Sequence, residues 1–160
     1  MKKLILIITL IIVSISGNCQ TELENLIFKK LNDYRVGKGL DTLTFNPIAY
    51  KIAKDKSNNE VIDPTINDSD RVREMLLAEG IDKGGSYVHN WFGKHNIKDG
   101  SLMSFESLSD QIINHFTKDI ELEVNLILPI LPERPERYYG AVASVESNNR
   151  YYITIVLYEK

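Results

Sequence analysis

The chain of 160 residues is 43% hydrophobic, 26% charged and 9% aromatic. That is the make-up of one ordinary globular domain, and it excludes a disordered chain, a collagen-like chain and a multidomain enzyme. The formal net charge is −3, and beyond the first few residues no block of Lys or Arg supplies the electrostatic footprint of a nucleic-acid binder.

The N-terminus stands apart from the rest. Met1-Lys2-Lys3 is a basic head, Leu4 to Val13 is almost wholly Leu, Ile and Val, and Ser14-Ile15-Ser16-Gly17-Asn18-Cys19 turns small and polar. This is the n-, h- and c-region order of a secretory signal peptide, and its apolar run is too short to span a bilayer. Residues 1–19 are therefore expected to be a leader and residues 20–160 a single domain.

Cys19 is the only cysteine. A lipid-modified cysteine wants a small residue immediately before it, and Asn18 holds that slot. Gly17 and Cys19 instead fit the small-x-small pattern of ordinary cleavage, which makes Gln20 the new N-terminus. Anchoring through a lipidated Cys19 is the alternative, and only then is a membrane contact implied. On the cleavage reading the mature domain has no thiol, so disulfides, cysteine catalysis and cysteine–zinc sites drop out together. Loss of Lys2 and Lys3 with the leader takes the net charge from −3 to −5.

From Thr21 to Val36, Leu23, Leu26, Ile27, Leu31 and Tyr34 follow helical spacing until Gly37 and Gly39 stop it. After a short linker, Asn46 is a good N-cap and Pro47 a good first helical residue for a second helix running to about Ser57. Residues 58–69 read as a loop, and Val72, Met75 and Leu76 mark a third helix that Gly80 ends. Residues 81–103, with several glycines around Tyr87-Val88-His89-Asn90-Trp91-Phe92, read as a long loop or short strands. Ser107 and Asp110 resemble a capping box for a fourth helix carrying Leu108, Ile112 and Phe116. The chain closes with a hairpin: two β-rich runs, 138–145 and 150–158, flank Ser147-Asn148-Asn149. Both faces of the last run are largely apolar, so it is expected to be covered on both sides. The implied class is α/β, a three-layer α-β-α sandwich ending in a β-hairpin.

These residues resemble a family. Leu31-Asn32-Asp33-Tyr34-Arg35-Val36-Gly37-Lys38-Gly39-Leu40, then Leu43, Asn46-Pro47 and Ala53-Lys54-Asp55-Lys56-Ser57, are similar to the opening of bacterial domains of the CAP superfamily. CAP covers the cysteine-rich secretory, antigen 5 and pathogenesis-related proteins. Their opening reads roughly Asn-x-x-Arg-x-x-x-Gly-Leu before an Ala-rich helix with a His. Arg73, Gly80 and Val88-His89-Asn90 follow in the family's order, as do Phe116, Asp119, Leu122 to Ile127, Gly140 and the strand Tyr151 to Leu157. The resemblance implies the same α-β-α sandwich.

It also implies a central cleft lined by two His and two acidic residues, sometimes with a divalent metal, and here the chain departs. Lys56 stands in the first His slot, His89 in the loop Glu slot and Leu122 in the second His slot; a shifted alignment brings Glu121 or Glu123 to the last. A protonated lysine cannot ligate zinc and a leucine never can, so no metal and no cofactor are expected. The ligand-binding cleft implied by the resemblance comprises Lys56, His89, Asn90 and Leu122. A metal site built from His89, His95 and His115 is the competing arrangement. Tyr87, Trp91, Phe92 and Phe105 are expected as core rather than as a ligand pocket.

The expected function is a secreted, non-enzymatic module that binds an extracellular small molecule, lipid or protein. The alternatives are an exported hydrolase or peptidase built on His89 and Lys56, and an envelope protein tethered through Cys19. Mass spectrometry of the secreted protein is expected to find Gln20 at the N-terminus; a diacylglyceryl Cys19 instead would place the protein on a membrane surface.

Overall fold

A computed structural model describes residues 20–63, 69–81, 87–94, 103–118 and 138–159, and of 87–94 it describes the backbone. The elements in order are α1 (Glu22–Gly37), β1 (Thr44–Phe45), α2 (Pro47–Ile62), α3 (Ser69–Ala78), β2 (Tyr87–Lys94), α4 (Phe105–Lys118), β3 (Tyr138–Ser147) and β4 (Arg150–Glu159). The sheet order is β1-β3-β4-β2, with β1 parallel to β3 and the other pairs antiparallel.

The period-two pattern of β4 divides the molecule into layers. Tyr151, Ile153, Ile155 and Leu157 join Val142 of β3 in a cluster capped by Leu23, Ile27 and Leu31 of α1 and by Leu108, Ile112 and Phe116 of α4. Val156 and Tyr158 join Ala141 and Ala143 of β3 beneath Ala49, Tyr50, Ile52 and Ala53 of α2 and Val72 and Leu76 of α3. Successive strand side chains point to opposite faces, so one strand feeds both cores. The three-layer α-β-α sandwich expected from the sequence is the architecture found. Small side chains meet on the α2 side, Ala49 and Ala53 against Ala141 and Ala143, in keeping with close approach of helix and sheet.

Local chemistry sets the element ends. Thr21 and Glu24 form a reciprocal capping box at the start of α1. The linker to β1 is stapled back onto the helix: the Asn32 side chain accepts from Leu43 N–H at 2.7 Å and donates to Leu43 O at 3.3 Å, and Arg35 Nε donates to Asp41 O at 2.9 Å. Arg35 is buried with its guanidinium over the Tyr138 ring at 5.2 Å. Burial pulls its pKa below the ordinary arginine value, while Tyr138 and Asp41 act in the opposite direction. Asn46 caps α2 by accepting from Ile48 and Ala49 N–H, with Pro47 at the first helical position. Asn148 and Asn149 take φ of 52° and 57°, the left-handed pair that joins β3 to β4 in a two-residue turn.

Three expectations need correction. Helix α2 does not stop near Ser57 but runs to Ile62, because Lys56 and Glu60 pair across one turn and Glu60 is buried by continuing the helix. Helix α4 starts at Phe105; Ser104 Oγ accepts from Ser107 N–H, so the cap sits three residues before the Ser107/Asp110 box. Within 81–103, residues 87–94 form one eight-residue strand paired to β4 along its length. The leader 1–19 lies outside the described residues.

Glu24 is the buried polar centre of the α1–α2–β3 junction. Its carboxylate accepts from Thr21 N–H (2.7 Å), Tyr50 O–H (3.0 Å), Ser144 N–H (2.6 Å) and Ser144 O–H (3.1 Å), with the Lys54 ammonium at 3.5 Å. Glu24→Ala strands these donors and is expected to lower the unfolding free energy by about 3 kcal/mol in denaturant titrations. Exposed Glu22, in the same first turn, should cost less than about 1 kcal/mol when changed to Ala.

Candidate functional site

Of the residues that the family resemblance assigns to a cleft, Lys56 lies in the second half of α2. Lys56 is 5% exposed, and its Nζ lies 3.0 Å from Glu60 Oε1, a carboxylate itself 2% exposed. The four-residue spacing puts the two on one helical face, and that face is buried. Beside them Ser57 Oγ donates to Thr154 Oγ1 at 2.8 Å, tying α2 to β4. One turn earlier Lys54 donates to Ser144 O at 2.6 Å, a second tie, to β3.

The loop residues of the expected cleft belong to β2. Asn90 is in register with Thr154, the residue bonded to Ser57, so its backbone neighbours the α2 contact. His89 is in register with Ile155, whose side chain belongs to the cluster beneath α1 and α4. Leu122, with Glu121 and Glu123, lies outside the described residues, as does His95.

His115 is placed away from Lys56. It is exposed on α4, its ring 5.7 Å from that of Phe116, while α2 covers the opposite face of the sheet. Among the described residues, no three of His, Cys, Asp and Glu converge on a point that could hold a metal ion. Phe105 packs against the α1/α4 cluster, as expected, whereas the side chains of Tyr87, Trp91 and Phe92 lie outside those described.

Sequence reasoning missed the partner of Lys56. Glu60 was legible only as a residue four positions on, within a stretch whose Asn content read as loop. It also missed a groove of about 450 Å³ between α1 and α4, on the face away from Lys56, lined by Leu26, Lys30, Asp33, Tyr34, Asp110 and Ile113 among others. At its centre Lys30 bridges Glu106, at 2.7 Å, and Asp110. Burial opposes the charged form of Lys30, but the hydrogen bonds it donates to Asp110 and Glu106, together with their negative charges, outweigh it and raise the pKa above the ordinary lysine value.

The Lys56–Glu60 pair is neutral as a unit, and two well-packed apolar residues could replace it at little cost, whereas loss of one partner leaves a buried charge. Lys56→Met alone is expected to cost about 3–5 kcal/mol, and Lys56→Met with Glu60→Leu to return within about 1 kcal/mol of the parent, read by chemical denaturation.

No protein-family model matches the sequence, and no curated protein matches it. The likeness is in three dimensions. A cysteine-rich secretory protein of Staphylococcus aureus superposes with a TM-score of 0.56 at 13% identity, over 88% of this chain and 40% of that one. An outer surface protein of Borrelia burgdorferi gives 0.53 at 13% identity, over 85% and 90%. The CAP domain of enterococcal PrgA gives 0.57 at 18% identity, over 91% and 63%. The chain thus spans less than half of the staphylococcal protein. The architecture is that of a CAP domain.

Proposed function

On that scaffold, we propose that the chain is a secreted, non-enzymatic module that binds an extracellular ligand or partner through the cleft beside α2. The observation that carries this reading is the state of Lys56. In the slot where the family resemblance expects a metal-binding imidazole, a buried ammonium sits against Glu60 at 3.0 Å. A hydrolase using Lys56 and His89 needs a lone pair to attack a carbonyl or to take a proton. An ammonium donating to a carboxylate offers none.

Two further facts support export. The first 19 residues have the order of a signal peptide. Two of the similar structures are described as a secretory and an outer surface protein. The surface is acidic once the leader is gone, which suits a neutral or cationic partner better than nucleic acid or an anionic membrane.

Titration of the purified domain with Zn²⁺ by calorimetry tests the non-metal, non-enzymatic reading. Affinity no tighter than about 10 µM is expected, about −7 kcal/mol. A stoichiometric sub-micromolar isotherm that disappears in His89→Ala would overturn it, as would peptide hydrolysis lost in both Lys56→Met and His89→Ala.

A further inference from the structure

Strand β1 is the outer neighbour of β3, and it is only two residues long. Thr44 and Phe45 pair with Tyr139 and Gly140, Asn46 N–H donates to Gly140 O at 3.0 Å, and Pro47 then turns the chain into α2. Beyond Gly140 the outer edge of β3 has no strand beside it among the described residues. The two-residue turn makes Ser147 and Arg150 a hydrogen-bonded pair, and alternation along the ladder then points the N–H and C=O of Gly140, Val142 and Ser144 away from β4. An edge of this kind is a template on which another chain can pair.

Three side chains continue where β1 stops. Gln20 Nε2 donates to Val142 O at 3.2 Å, Lys54 Nζ donates to Ser144 O at 2.6 Å, and Glu24 Oε1 accepts from Ser144 N–H at 2.6 Å. They supply the donors and the acceptor that a neighbouring strand would bring. Gln20 and Glu24 reach the edge from the start of α1 and Lys54 from α2, and the Tyr50 hydroxyl of α2 donates to Glu24 at 3.0 Å, so the two helices close over the edge from both faces. The strand they cover is suited to pairing with itself: residues 138–145 carry neither a charge nor a proline. Antiparallel pairing of two such edges about a two-fold axis at Ala143 sets Val142 of one copy against Ser144 of the other, and each residue then offers both its N–H and its C=O. We infer that Gln20, Glu24 and Lys54 guard the β3 edge against strand addition by a second copy of this chain. Of the three, Glu24 is fully buried and tied into the core, whereas the Lys54 side chain is 37% exposed and can be changed without opening that core.

Sedimentation equilibrium of the purified protein tests the guard. The parent is expected to remain a monomer up to about 1 mM, and the double variant Gln20→Met with Lys54→Met to form a dimer at least about tenfold more tightly, below about 0.1 mM. Lys54→Arg keeps a donor for Ser144 O and is expected to stay monomeric. Lys51→Met, at an exposed position of the same helix, removes the same charge without touching the edge and is expected to stay monomeric as well. The pairing has its own signature: in a mixture of isotope-labelled and unlabelled double variant, Ala143 Hα of one copy should show a nuclear Overhauser effect to Ala143 Hα of the other. A double variant that is still monomeric at about 1 mM would overturn the guard. So would association that lacks the Ala143 contact, association that Lys51→Met produces equally, or a parent that already pairs through β3.

Discussion

A strand that is apolar on both faces can be stable only between two layers, and β4 is such a strand. Residues Tyr151 to Tyr158 are all buried. Because alternate side chains enter different cores, neither helical layer is optional: removing α1 and α4 would expose Ile153, Ile155 and Leu157, and removing α2 and α3 would expose Val156 and Tyr158. At roughly 25 cal/mol per Å² of apolar surface, either loss would exceed the margin by which an ordinary domain is stable. The sandwich follows from one ten-residue segment.

Polar contacts then decide how the layers sit. Hydrophobic contact is non-directional and would let a helix slide along the sheet. Glu24, Lys54 and Ser57 are directional: they fix α1 and α2 to Ser144 and Thr154 at single positions. The same holds for Asn32 and Arg35, which carry much of the family resemblance. Both staple the α1–β1 linker, so that opening motif preserves a fold rather than a site.

Helices α1 and α3, the caps Asn46 and Pro47 and the terminal hairpin were legible because each is specified by neighbours in the sequence: an apolar stripe, a capping side chain or a paired turn. What was not legible depends on distant partners. Asn58 and Asn59 are weak helix formers, and nothing local reveals that Glu60 is buried beneath Lys56. The strand β2 carries Asn90 and Gly93, poor strand residues, and owes its extended form to backbone pairing with β4. β1 is two residues long, below any periodic signal. The Thr21–Glu24 box could be read from spacing, but not that Glu24 also serves Tyr50 and Ser144, the latter 120 residues away. Of the cleft, Lys56 was found from a resemblance and its partner only from the structure.

The asparagine pair at 148 and 149 reaches further than its place at the tip of a hairpin suggests. A two-residue turn with both positions left-handed permits a single alignment of the flanking strands. Shifting that alignment by one residue inverts every side chain of β4. Thr154 would then face the apolar helices α1 and α4, Ser57 would meet a branched aliphatic chain, and Tyr158 and Leu157 would exchange sides. Two small, exposed amides thus act as the molecule's sense of left and right, deciding which core each half of its central strand enters.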